Sequence, residues 1–220
     1  MWFILAALVF AALTGLATWK SNRGLEMIAK PAVMVILLVY LWTSVGLTGA
    51  PLWFGLGVLL SLLGDIFLLW LDRMFTFGLA AFLLGHIAYV IGFNIPIPQF
   101  SVWGIFLALM IGLSGVRIMR RILSALIQKG QTRLRAPLAV YSAVISLMLL
   151  SAMLKLTDLA WDASAALLVA AGAFLFYLSD IVLAWIKFVA PIQYGRILNI
   201  GLYHLGQIML AAGVVMQFTS

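Results

Sequence analysis

The sequence predicts an all-α, polytopic membrane protein: eight transmembrane helices forming a single integral membrane domain over residues 1–220. Three observations predict it. Of the 220 residues, 66% are hydrophobic and only 9% charged, far outside the range of soluble domains. Runs long enough to cross a bilayer as a helix, about 18–20 residues, follow one another nearly end to end. And when the chain is cut into eight such runs, only Lys155 of the 13 Lys and Arg residues falls on the opposite side from the rest. A membrane barrel is excluded, because the runs do not alternate at period two.

The spans read Met1–Trp19, Pro31–Leu47, Pro51–Leu71, Thr76–Phe93, Val102–Met119, Pro137–Leu154, Ala163–Ile186 and Gly195–Phe218. The first has no basic residue before its apolar stretch, and its positive charges follow, the reverse of a secretory signal. T-G-A-P separates spans two and three, and N-I-P-I-P-Q-F-S separates four and five; both are turn-like by their Pro and Gly content. The one long polar join runs from Arg120 to Ala136. The basic side is expected to be cytoplasmic, which leaves both termini outside, in the inner membrane of a bacterium. The basic loops suit topology and anionic headgroups; without interleaved aromatics they do not read as a nucleic-acid surface. The sequence has no cysteine, so disulfides and thiolate metal sites are excluded.

The chain also suggests an internal repeat. Gly64-Asp-Ile-Phe-Leu-Leu-Trp-Leu71 aligns with Ser179-Asp-Ile-Val-Leu-Ala-Trp-Ile186, and Lys30-Pro31 at the start of span two resembles Arg135-Ala-Pro137 before span six. Spans one to four then read as a parallel duplicate of five to eight.

That alignment centres on two carboxylates, Asp65 and Asp180, inside apolar runs. Each lies six residues before the basic end of its span, about 9 Å below the membrane edge at 1.5 Å per residue. Ionised there, an Asp is costly, up to roughly 2.5–3.5 kcal/mol at a helix centre, and such a residue is a functional candidate by default. The matching depth suggests that the two face one cavity. The alternative is structural: each pairs with a neighbouring helix, or with Lys30 or Arg196. His86 lies near mid-span in the fourth run, with Tyr89 at i+3 on the same face. Ser61 at i−4 from Asp65, Tyr177 at i−3 from Asp180, Ser179, Tyr141, Tyr203 and Gln207 complete a set of polar groups, most of them in the basic half of the bundle, able to orient the carboxylates. Gly201 and Gly206 read as close helix packing. No H-E-x-x-H or E-x-x-H spacing supports a metal, no G-x-S-x-G elbow is present, and no metal or organic cofactor is expected.

Taken in order, these pieces resemble one family. Lys30-Pro31, S-L-L-G-D ending at Asp65, F-L-L-G-H-I-A-Y from Phe82 to Tyr89, P-L-A-V-Y from Pro137 to Tyr141, G-A-F-L-F-Y-L-S-D ending at Asp180 and L-Y-H-L-G-Q ending at Gln207 are similar to the YhhN family of membrane proteins, whose animal members are lysoplasmalogenases. His204 departs from the pattern, standing where an aromatic residue is expected. The resemblance covers nearly the whole chain. It implies hydrolysis of the vinyl ether of a lysophospholipid substrate, giving a fatty aldehyde and glycerophosphoethanolamine or glycerophosphocholine. The residues suit that chemistry: protonation of the outer alkene carbon gives an oxocarbenium ion that water captures, and two carboxylates can divide the work as in glycoside hydrolysis. Asp65, Asp180 and His86 are the expected catalytic groups. Lys30, Arg73 and Arg196 at the membrane edge are placed to meet the phosphate. A small proton-coupled carrier of a lipid or amphiphile is the alternative that the same features allow.

Overall fold

The computed structural model describes residues 2–69, 71–97 and 102–219, with the side chains of residues 71–73 left out. Eight helices long and apolar enough to span a membrane account for nearly all of it: α1 Trp2–Trp19, α2 Arg23–Val45, α3 Ala50–Leu69, α4 Leu71–Phe93, α5 Val102–Gln128, α6 Arg135–Leu154, α7 Ala163–Ala184 and α8 Gly195–Thr219. No strand occurs among the described residues. The protein is an integral membrane protein. Trp70, one residue of the aligned octapeptide, and residues 98–101, the second half of the turn between spans four and five, lie outside the described residues.

Between lipid tails, helices gain little from burying apolar surface, so association depends on close packing of small residues. Two hairpins use this device most. In α3–α4, a Cβ on Gly57 would stand 2.6 Å from the Tyr89 ring, one on Gly64 2.6 Å from the Phe82 ring, and one on Gly85 3.2 Å from the Gly57 carbonyl oxygen. In α7–α8, a Cβ on Gly172 would meet the Gly206 carbonyl at 2.7 Å, and one on Gly206 the Gly172 carbonyl at 2.8 Å. Gly206 thus packs as expected. Gly201 does not: it is exposed, with open space where a Cβ would go.

The two hairpins form the middle of the bundle. Helix α2 packs on α1, α3 and α8, and α6 packs on α5, α7 and α4. Helix α1 packs on α2 and α8, and its Ala7, Thr14 and Ala17 are buried. Helix α5 behaves differently. It packs on α6 and on the π-helical turn Trp185–Val189 that continues α7, and it makes no comparable seam with α4.

Two boundaries depart from the sequence reading. The second span opens at Arg23 rather than Pro31, because the side chain of Asn22 caps the helix, accepting from the Leu25 N–H at 3.1 Å; Pro31 sits inside it. The predicted polar join from Arg120 is largely helix. Its apolar residues keep helical spacing, and Ile122 and Leu126 are buried with Leu138 and Phe188 in a small second core, so α5 has a reason to continue to Gln128.

Candidate active site

The two carboxylates occupy separate sockets. Asp65 is fully buried, at 0% exposure. Lys30 Nζ from α2 lies 2.9 Å from its Oδ1, and Tyr203 of α8 donates to Oδ2 at 2.7 Å. The Lys30 side chain is itself only 11% exposed. Burying either charge alone would be strongly unfavourable; together they are mutually neutralised, with Tyr203 satisfying the second oxygen.

Asp180 has other company. Tyr141 of α6 donates to Oδ2 at 2.5 Å. His86 Nε2 from α4 lies 3.2 Å from the same oxygen and 3.0 Å from Tyr141 Oη. Because the Tyr141 proton is used on Asp180, the hydrogen facing the pair from the imidazole is the one on Nε2; Nδ1 is buried without a partner. The second carboxylate oxygen, Oδ1, has only the Ser179 hydroxyl at 3.5 Å, and the side chain retains 13% exposure. Asp180 therefore presents one free oxygen to its surroundings, whereas Asp65 presents none.

Those surroundings are an apolar groove of about 720 Å³, its open side included, between α4, α5, α6 and α7. Phe75, Leu79, Ile118, Met119, Ile122 and Leu138 line its length, and Tyr141 and Asp180 supply polar edges. A second pocket, about 920 Å³ with its mouth, lies at the basic end of the bundle; Arg23, Glu26, Lys30, Arg196 and Asn199 line it. Arg196 donates to Glu26 at 2.9 Å, and Arg23 donates to the Leu69 carbonyl at 3.0 Å. An aromatic partition separates the two sockets: Phe176 contacts both His86 and Tyr203, and Phe82 packs edge-on to Phe176 and Tyr203.

A profile of the YhhN family matches residues 25–214. The chain belongs to the YhhN family. Among relatives, lysoplasmalogenase TMEM86A of Bos taurus is 30% identical over 162 residues, 72% of this chain and 63% of that protein. The human protein of the same name is 31% identical over 164 residues, with the same coverage, and lysoplasmalogenase TMEM86B of Mus musculus is 30% identical over 178 residues, 80% of this chain and 70% of that protein. The chain thus spans a little under two thirds of the length of the TMEM86A relatives. No solved structure matches.

Of the residues singled out in this YhhN-family sequence, the fold brings Lys30 and Tyr203 to Asp65, and His86, Tyr141 and Ser179 to Asp180. Others go elsewhere. The two carboxylates do not share one cavity, since Asp65 is sealed behind Lys30. Ser61 does not orient Asp65: it accepts from Gln207 Nε2 at 3.2 Å, while Gln207 Oε1 accepts from Tyr89 at 2.6 Å. This places Tyr89 in a third network apart from His86. Tyr177 makes no hydrogen bond to Asp180 and lines the groove, its hydroxyl 3.4 Å from where a Cβ on Gly115 would sit. Arg196 is tied to Glu26, not to either Asp, although it still faces the basic pocket. Arg73 lies outside the described side chains. His204 is 0% exposed with both ring nitrogens unpartnered; nothing in the structure explains it. Arg23, Leu68 and Leu183 went unnoticed. For the leucines a signal existed, since both fall three residues after an Asp inside the aligned octapeptides. Among the described residues, no three His, Asp or Glu side chains converge as metal ligands would.

Proposed function

We propose that this chain is a hydrolase of lysoplasmalogens, cleaving the vinyl ether of an alkenylglycerophospholipid to a fatty aldehyde and glycerophosphoethanolamine or glycerophosphocholine. The observation that carries the proposal is Asp180: a carboxyl with one free oxygen, hydrogen-bonded to a histidine and a tyrosine, in the wall of an apolar groove. The names of the relatives point the same way.

The geometry favours unequal roles for the two carboxylates. Asp180, protonated on Oδ1, gives its proton to the outer alkene carbon. The carboxylate left behind faces the oxocarbenium ion at close range, where low dielectric makes the attraction strong. Water adds to the cationic carbon and returns a proton to Asp180. The hemiacetal then collapses, its hydroxyl proton passing to the departing glycerol oxygen, with Asp180 and His86 within reach as relay. One carboxyl serves as acid and then base and ends as it began. Asp65, locked to Lys30 and Tyr203, acts as a fixed internal ion pair that positions α2, α3 and α8 around the site. The site opens to the basic, cytoplasmic half of the bundle, with both chain termini on the other face. A carrier would need a passage to that face too, and the path is filled by Phe54, Tyr89 and Phe93.

The test is aldehyde release from 1-alkenyl-lysophosphatidylethanolamine and the choline analogue by the purified protein in detergent. Turnover by the parent, lost in a folded Asp180→Asn protein, is expected. A folded parent that releases no aldehyde from either lipid would refute the reading.

A further inference from the structure

The groove and the basic pocket share two lining residues, Leu68 of α3 and Leu183 of α7. Each stands one helical turn from a carboxylate, Leu68 from Asp65 and Leu183 from Asp180, on the same helix face. Among the described residues, the two side chains that line both the polar cavity and the apolar one are therefore leucines one turn from the two acidic groups.

We infer that the two pockets are the head and tail compartments of one site for a single-chain phosphodiester amphiphile, with Leu68 and Leu183 as the constriction that the first atoms of the chain must cross. The inference deepens the hydrolase reading, and rests on it only for what then happens at Asp180.

The polar compartment has the chemistry of a phosphodiester site. Arg23 has no carboxylate partner among the described residues, and its bond to the Leu69 carbonyl leaves most of its donors open; a guanidinium so placed suits phosphate oxygens. Lys30 is paired with Asp65 and Arg196 with Glu26, so Arg23 is the cation that this compartment leaves for an incoming anion. The apolar compartment is narrow, with about 70 Å³ of enclosed free space, and Phe75, Leu79, Ile118 and Ile122 line its length as a chain-binding groove would need. Its open side faces lipid, because α5 stands off α4. An amphiphile spanning both compartments puts the junction of head and chain between the leucines. That junction is where a vinyl ether sits, one turn from Asp180.

The other half packs differently: α1 lies directly on α8, whereas α5 makes no comparable seam with α4. On this reading the groove takes one chain, and a second would have to part α1 from α8.

The test uses a 1-O-alkyl-lysophosphatidylethanolamine carrying a diazirine near the methyl end of its chain. This probe lacks the alkene and cannot be turned over. The full-length protein in phosphatidylcholine nanodiscs is irradiated and its adducts are mapped by mass spectrometry. Expected are adducts at Phe75, Ile118, Met119 or Ile122, reduced roughly tenfold by excess unlabelled lysolipid but not by two-chain phosphatidylethanolamine. Leu183→Trp, which fills the constriction, should reduce them comparably. Adducts confined to outward residues such as Leu109 and Leu113, equal competition by the two-chain lipid, or full labelling of a folded Leu183→Trp protein would overturn the inference. Should that variant fail to fold, the competition on the parent decides alone. Groove adducts on a parent that releases no aldehyde would keep the site and remove the hydrolase; aldehyde release with adducts elsewhere would do the reverse.

Discussion

In the α3–α4 hairpin the Gly57 carbonyl lies against Gly85 and Phe54 against Gly92; in the α7–α8 hairpin the Gly172 carbonyl lies against Gly206 and Val169 against Gly213. At a constant spacing from these contacts come Asp65 with Leu68, and Asp180 with Leu183. Each carboxylate then receives one partner from the other hairpin and one from a flanking helix. Asp65 is met by Tyr203 from α8 and Lys30 from α2; Asp180 is met by His86 from α4 and Tyr141 from α6. The sockets match in construction and differ in chemistry. One holds a lysine side chain 2.9 Å from its Asp. The other holds an imidazole and a phenol, both on one oxygen of its Asp. The hairpins match in geometry, and of the two carboxylates Asp180 is the one that lines the apolar groove.

The strongest way to break that contrast is to exchange the residues that create it. His86→Gln gives α4 the amide that α8 carries at the corresponding place. It should lower aldehyde release by roughly 10²-fold or more, the usual worth of a positioned acid–base group. Gln207→His should leave release within a few-fold of the parent. Equal rates for His86→Gln and the parent, in folded protein, would remove the distinction between the sockets.

The next largest effect concerns the fixed charge. Asp65→Asn strands Lys30 as a buried cation and should cost about 3–5 kcal/mol, while the double change Asp65→Asn with Lys30→Met should recover most of it. Thermal unfolding in detergent reads both. A single variant as stable as the parent would mean that Lys30 reaches water when unpaired.

Packing gives a smaller difference. A Cβ at Gly172 meets backbone, the Gly206 carbonyl at 2.7 Å and the Leu210 nitrogen at 2.8 Å, whereas at Gly57 it meets the Tyr89 side chain. Gly172→Ala should lose about 1–3 kcal/mol by overpacking, and Gly57→Ala less, because a ring can shift where a helix cannot. The reverse order of melting temperatures would show that the Tyr89–Gln207 bond holds that ring rigidly in place.

The smallest effect lies in the joins that lead into the hairpins. The first uses Gly46 and Gly49 at positive φ. The second is held by Lys155, buried, donating to Asp158 at 2.8 Å. Desolvation alone would raise the Asp158 pKa. The bonds from Lys155 and the Ala160 N–H outweigh it and hold the carboxyl below its ordinary value. A depressed folded pKa stabilises above the unfolded value, about 3.9, and that stability is lost as pH falls through the folded one. Asp158→Asn should therefore melt below the parent at pH 7, with the gap closing under strong acid. A gap that stays constant down to pH 3 would assign the effect to something other than the charge.

Much of this was legible in the sequence, and for a physical reason. A bilayer demands long apolar runs, so the helices are encoded locally. The carboxylates stood out because lipid makes them costly. Their partners did not, because those come from other helices. Spacing along one helix pointed to Ser61 and Tyr177; both lie close to their Asp in sequence, yet each turns to a different neighbour. Lys30 was weighed as a partner for Asp65, and Tyr141 and Tyr203 only as members of a polar set. Pro31 looked like a helix start because proline favours the first turn, but Asn22 had already supplied the cap. The polar join after Arg120 hid a helix because its apolar face, Ile122 and Leu126, is only two residues wide.

A groove that opens beside α5 opens sideways. A lipid entering there moves within its leaflet and is never dissolved, so the quantity governing its arrival is its mole fraction among the lipids, not its molarity in the tube. Kinetics on such a protein follow surface dilution. Adding inert detergent or lipid at constant total substrate spreads the same molecules over more interface and slows the reaction, although nothing in the bulk solution has changed. On the proposed hydrolase reading, the same geometry would tie turnover in a cell to the local make-up of one leaflet, with the membrane as solvent, reservoir and regulator at once.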